Sequence, residues 1–240
     1  IGNVQFHNLK LLLNDNQKYL VKKYIFPYKL ISEQNSEIYQ LKSLLPKLEI
    51  DFIKSEEEIA IKESSITLSD NKILKKFRLI SGFYAGTNNK YPGNGYIDFY
   101  DNNIFVISTR GILAFRKNLT NDTENFKQIK NNINDFIGFD QFQKSATLSA
   151  FSLKDIYIDK DKIYVSYTEE IKDNCWNTSI IHGNINYENI IFEKLFSSKD
   201  CIITKGSNQN GGRIVNFDEN HILLSVGDYR SRSLPQDKKS

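Results

Sequence analysis

Three stretches of this chain follow one plan: an apolar run, an acidic or amide turn, then a second apolar run. Two are Ile97 to Ser108 and Ile156 to Tyr167, and the third lies between Asn208 and Arg232. Ile104, Ile163 and Ile222 mark the same place in each copy and stand 59 and 59 residues apart. Apolar runs around such turns form antiparallel hairpins. A fixed period carrying several strands per copy predicts an array in which each repeat is one sheet that buries its faces against its neighbours. The expected fold class is therefore all-β, a β-propeller with a partly helical N-terminal arm. It is incomplete in this chain, because three copies and one partial sheet fall short of the roughly four or more blades a ring needs. The expected organisation is an N-terminal arm or linker over residues 1–50 and the first blades, truncated at the C-terminus, over 51–240.

In the arm, Ser32 followed by Glu33, Ile38, Leu41, Leu44 and Leu45 predicts a short helix ended by Pro46. Strands are expected at Ile59 to Ile61, at Ile66 to Leu68, and from Ile73 to Ile80 after a turn at Ser69 to Lys72. Residues 84–95 read as a loop, with Pro92-Gly93 and Asn94-Gly95 supplying turn geometry. Thr109 to Gly111 turns into a strand from Ile112 to Phe115. Phe126, Ile129, Ile133 and Phe136 or Ile137 recur at helical spacing behind an Asn121 to Glu124 cap, which predicts a helix crossing between blades.

Charge excludes one class of partner. A net of +3, from 32 basic and 29 acidic side chains, contains no basic stripe interleaved with aromatics, so no nucleic acid is expected. No apolar run reaches about 18 residues, so no membrane span is expected in this chain. The chain begins at Ile1 and contains no Met, which points to a trimmed N-terminus that carried a signal peptide or anchor. Lys10, Lys18, Lys22, Lys23 and Lys29 against Asp15 alone run counter to the positive-inside tendency for an exported domain beside such an anchor.

The two cysteines carry an inference of their own. Cys175 and Cys201 flank the apolar runs Ile180-Ile181 and Ile190 to Phe192, and their midpoint, residue 188, falls in the connecting turn. Folding there sets the sulfurs opposite each other, which favours a cross-strand disulfide and an oxidising compartment. The alternative is two free thiols packed as small apolar groups. Trp176 reads as packing over the pair.

A hairpin brings both of its open ends to one edge of a sheet, so the polar residues around the third copy are the candidate site. Gln209 and Asn210 precede two glycines, Arg213 opens the first strand, and Asp228 and Arg230 follow the second. Arg213 suits a carboxylate or a quinone, or serves as a structural clamp, for example on Asp228. The acidic turns at Asp159 to Asp161 and Asp218 to Asn220 recur with Asp101 to Asn103 and are turn formers lacking the spaced ligands of a calcium loop. His7, His182 and His221 have no partner at metal or triad spacing, so the residues themselves indicate no metal site.

With these residues in view, Leu153 to Asp228 resembles the soluble pyrroloquinoline-quinone sugar dehydrogenases, the glucose/sorbosone dehydrogenase family. Ser152 to Thr168 looks like that family's blade ending in a tyrosine-rich strand, and Gly211-Gly212-Arg213 followed by Val226-Gly227-Asp228 looks like its Gly-Gly-Arg and Gly-Asp pair. The resemblance implies a six-bladed propeller, periplasmic or otherwise exported, that binds the quinone and calcium and oxidises a sugar or polyol. Gln209, Asn210, Arg213, Asp228 and Arg230 then become the expected cofactor-binding residues. The family's catalytic His, four residues before the Arg, is here Gln209, which cannot accept a proton. No catalytic residue is assigned, and a non-catalytic propeller binding a carbohydrate or a protein partner is the alternative.

Overall fold

The structure, a computed structural model, describes residues 14–24, 27–79, 95–117, 124–137, 153–173, 175–203 and 211–228. Its contacts divide the chain into one unit that ends at Leu45 and a second that begins at Pro46. Helices α1 (Asp15–Tyr24) and α2 (Pro27–Ser55) come first. Pro27 takes the first position of α2, where its missing N–H goes unmissed. The expected stop at Pro46 is corrected: α2 runs through it to Ser55. An interior proline forfeits one backbone hydrogen bond at a cost of about 3 kcal/mol, and the helix-forming Leu44, Leu45, Lys47, Leu48 and Glu49 on either side outweigh it.

Among the described residues, the regular elements after α2 are strands and one 3-10 turn. β1 (Glu58–Ile59) is followed by the hairpin β2 (Ile61–Thr67) and β3 (Ile73–Leu79), paired from Ile61↔Leu79 to Thr67↔Ile73. β4 (Tyr96–Tyr100), β5 (Asn103–Ile107), β6 (Leu113–Lys117) and β7 (Phe126–Asn131) then form an antiparallel meander, with β1 added beyond β7. A second meander contains β8 (Leu153–Asp159), β9 (Lys162–Lys172) and β10 (Cys175–Asn184). After β11 (Asn189–Ile190), β12 (Glu193–Phe196) completes it, and β13 (Ile202–Ile203) pairs the far end of β10. A third sheet starts with β14 (Gly211–Asn216) and β15 (Ile222–Val226). The architecture is mostly β, and no closed ring of sheets forms among the described residues.

The 59-residue spacing has a structural counterpart. Ile104 and Ile163 pair with Phe99 and Ile158, five residues back across their turns, and Ile222 pairs with Asn216, six back. Each occupies the face of its sheet turned toward the preceding one. Ile104 lies in a cluster with Ile59, Ile112 and Phe126 under Ile61 and Leu79 of the β2–β3 hairpin. Ile163 joins Ile156, Ile158 and Val165 against Phe105, Ile107 and Phe115 of the first meander. Ile222 lines a cleft with Tyr164 and His182 of the second. Asp101 and Asn102 sit at φ 47° and 61° in the first turn, a left-handed conformation that Asn and Asp tolerate.

The helix expected around Phe126 to Ile137 is corrected to a strand and one 3-10 turn, Ile133–Asp135. Phe126 and Ile129 are three residues apart, so in a strand they face opposite ways, and both faces of this sheet are buried. Phe126 joins one core cluster and Ile129 the other, and a strand buried on both sides loses the alternation that identifies it. The loop expected at 84–95 and the cap residue Asn121 lie outside the described residues, apart from Gly95.

Cys175 and Cys201 form a disulfide. The hairpin does fold about residue 188, with Ile180↔Phe196 and His182↔Glu193 paired. The returning strand is Glu193–Phe196, however, not the apolar run before it. Asn189 and Ile190 instead pair in parallel with Lys130 and Asn131 of β7, so that run ties the two meanders together. Trp176 is buried in the core between them.

Candidate functional site

The Gly211-Gly212-Arg213 corner is held from three sides. Gly211 and Gly212 have φ of 69° and 110°, which strain any other residue. A Cβ on Gly212 would lie 2.3 Å from the Lys154 Cβ, so β14 approaches β8 more closely than a side chain permits. The Gly212 carbonyl accepts a hydrogen bond from the Ser166 hydroxyl, and the Arg213 amide donates to Ser225 Oγ at 2.9 Å. The Ile214 amide donates to Asp155 Oδ2 at 2.8 Å. The other oxygen of that carboxylate meets Arg213 Nη1 at 3.3 Å.

The two charges of this pair sit in unlike surroundings: the Asp155 side chain is 3% exposed and that of Arg213 is 74%. Burial pushes the Asp155 carboxyl above its ordinary value, against the pull of the Ile214 amide and the Arg213 guanidinium. Burial, then the nearby Arg110, brings Lys154 down to about 8. Arg110, itself buried, falls to about 10 for the same first reason. Tyr96 is pushed up to about 12 by burial and then by the Asp155 charge. The corner thus presents an exposed cation, Arg213, with a buried carboxylate behind it.

Of the residues expected from sequence, Arg213 and Asp228 are described. Gly211 pairs with Val226, which brings the start of β14 and the end of β15 to one end of the hairpin. Asp228 follows two residues beyond that pair and is half-buried. The structure sets Arg213 on Asp155. Gln209, Asn210 and Arg230 lie outside the described residues. Sequence reasoning missed Asp155, Lys154, Ser166 and Ser225. A signal for Asp155 was present, since it stands 59 residues before Ile214, the spacing of the repeat itself.

The exposed guanidinium of Arg213 is chemically suited to an anionic group. Among the described residues, no group of three or more His, Cys, Asp and Glu side chains could hold a metal ion. Trp176, buried in the core, offers no platform for a sugar. A cleft of about 350 Å³ lies at the turn ends of the same hairpins, between Asp159, Tyr164, His182, Asp218 and His221. His221 pairs there with Asp218 at 2.7 Å as part of its own turn. Among the described residues, no helix is long and apolar enough to cross a membrane.

Two four-stranded antiparallel meanders packed face to face, the second followed by a Gly-Gly-Arg corner, define a modular β protein. The sequence matches the Glucose / Sorbosone dehydrogenase family over residues 97–240, more than half of the chain, and the chain belongs to that family. Two solved structures described as glucose dehydrogenases are similar to it. One has 13% identity and a TM-score of 0.45, over 59% of this chain and 43% of the other. The second has 12% identity and a TM-score of 0.46, over 61% and 41%. The chain therefore spans about two fifths of the length of either. No curated protein matches the chain.

Proposed function

We propose that this chain forms the first blades of a six-bladed, exported β-propeller of the quinone-dependent sugar dehydrogenase type, acting on a sugar or polyol. The observation that carries the reading is the Arg213 corner. In a chain of this family, an exposed guanidinium stands on a rigid Gly-Gly bend, backed by a buried carboxylate. Arg213 would grip a carboxylate of the quinone through its planar fork of donors, with Gln209, Asn210 and Arg230 as neutral and cationic partners. Asp228, at the same end of the hairpin, would accept a hydrogen bond from that ligand set. When bound, pyrroloquinoline quinone with calcium supplies the hydride acceptor that the protein's own side chains lack. The disulfide suits the oxidising compartment this reading requires.

Gln209 favours a second reading. An amide at the family's base position orients a hydroxyl but takes no proton from it, and a propeller that keeps its mouth without a base is a binding module for a carbohydrate or protein partner. One experiment separates the two. The intact protein is loaded with the quinone and calcium, and dye reduction is followed with glucose, sorbitol and other sugars. Reduction above the cofactor blank supports the dehydrogenase. Saturable sugar binding without dye reduction supports the binding module, and the absence of both responses sinks the dehydrogenase and the carbohydrate-binding module together.

A further inference from the structure

We infer that Asp155 is the positioning residue of the Arg213 corner: its buried carboxylate holds the guanidinium in the orientation that receives a carboxylate of an anionic cofactor. This rests on the reading of the corner as a quinone site.

An arginine on a strand at a protein surface carries about 2 kcal/mol of rotamer entropy. A ligand that captures it must order it, so an arginine ordered in advance binds more tightly. Asp155 is built for that task. Its Oδ2 is committed to the Ile214 amide, one residue beyond Arg213, at 2.8 Å. This fixes the carboxylate relative to the strand that carries the arginine. Oδ1 then meets a single guanidinium nitrogen, Nη1, at 3.3 Å. With 74% of the Arg213 side chain exposed, the rest of the fork faces solvent, where a planar carboxylate can meet it edge-on.

The backbone beneath is fixed by the same neighbourhood. Ser166 holds the Gly212 carbonyl and Ser225 holds the Arg213 amide. Neither serine touches the guanidinium in these bonds. Among the described residues, Asp155 alone joins the backbone restraint to the side chain, which separates it from a residue that only fastens two sheets together.

The test uses Asp155→Asn, which keeps an oxygen for the Ile214 amide and removes the charge that holds Arg213. Unfolding curves check that the variant folds. The dissociation constant for pyrroloquinoline quinone is measured on the intact apoprotein by fluorescence titration, for wild type, Asp155→Asn, Arg213→Lys and the double variant. The expected result is a roughly tenfold weakening for Asp155→Asn, and a double variant no weaker than Arg213→Lys, because one residue acts through the other. Additive losses would overturn the inference.

A second readout needs no quinone. In nitrogen-15 spectra of the apoprotein, recorded cold enough to slow guanidinium rotation, the Arg213 Nη–H signal should move in Asp155→Asn to the position and exchange rate of a free surface arginine. An unchanged signal overturns the positioning role. A wild type that binds no quinone overturns the reading of the corner, while the arginine signal still decides the role of Asp155.

Discussion

The Asp98 carboxylate on β4 accepts a hydrogen bond from the backbone amide of Ile158 on β8 at 2.6 Å, across the boundary between the two meanders. The next boundary repeats the device, with Asp155 on β8 accepting from Ile214 on β14 at 2.8 Å. The separations are 60 and 59 residues. β4, β8 and β14 are each the edge strand that opens their sheet. Amides on an edge have no ladder partner, and a buried one must be satisfied from elsewhere. Apolar faces bring successive sheets together without fixing their alignment, since burial has no direction. The two carboxylates supply that alignment.

Asp98→Ala should therefore cost more than an exposed charge normally does. It leaves the Ile158 amide without its acceptor in a buried strand, a loss of about 1–3 kcal/mol. Asp98→Asn, which keeps a side-chain carbonyl, should cost distinctly less. Urea unfolding of the three proteins compares them, and equal costs for the two variants would show that the hydrogen bond is not what matters.

Gly212→Ala should be among the most damaging small changes in the chain. The backbone there is at φ 110°, outside what alanine adopts, and the new methyl would meet the Lys154 Cβ at 2.3 Å. That atom is fixed to β8 and cannot swing aside, so one of the strands must shift. A loss of about 2–4 kcal/mol is expected from strain and overpacking together. A change below about 1 kcal/mol in the urea transition would mean that β14 is not seated on β8 as described.

Local signals in the sequence carried the hairpins and failed wherever a long-range partner decided. The turn at Asp218 was legible because its carboxylate accepts from the Asn220 amide, and the turn at Asp101 because Asp and Asn tolerate its left-handed backbone. The disulfide was legible because its midpoint coincided with a turn. β7 was not, since Phe126 and Ile129 serve opposite cores and together imitate one face of a helix. The parallel pairing of Asn189 and Ile190 with β7 depends on a strand some 60 residues away, beyond any local pattern. In the candidate site, the Gly-Gly-Arg corner declared itself through its glycines. Asp155 did not, because a charge in an apolar run reads as a solvent-facing residue until the strand it grips is known.

Removing the disulfide should loosen one end of the second meander. Cys175 and Cys201 close a loop of 26 residues, and releasing it frees unfolded-chain entropy of about 3 kcal/mol. The double variant Cys175→Ser, Cys201→Ser should unfold earlier by that amount. Because, among the described residues, β13 meets the sheet at Cys175 and Trp176, hydrogen exchange should rise first at Ile202 and Ile203. Exchange that rises equally along all of β10 would instead mean that the bond supports the whole sheet.

Lys154 gives the chain a pH dependence with a definite sign. Burial and the Arg110 charge lower its pKa in the folded protein to about 8, from an ordinary 10.5. Below pH 8 both folded and unfolded chains hold the proton, and the folded state bears the full cost of the buried charge. Between about 8 and 10.5 the folded chain has released a proton that the unfolded chain still binds, so stability rises with pH across that window. Lys154→Met, which keeps the apolar stem beside Gly212, removes the charge and should flatten the rise. The variant should exceed wild type by about 1–3 kcal/mol at pH 7, and the gap should narrow by pH 9.5. Measurements are best kept below pH 10, because Tyr96, raised to about 12 by burial and Asp155, works in the opposite direction above the ordinary tyrosine value. Urea midpoints at pH 6, 7, 8, 9 and 9.5 trace both curves, and a wild type with no rise above pH 8 would leave Lys154 solvated and the approach of β14 to β8 looser than drawn.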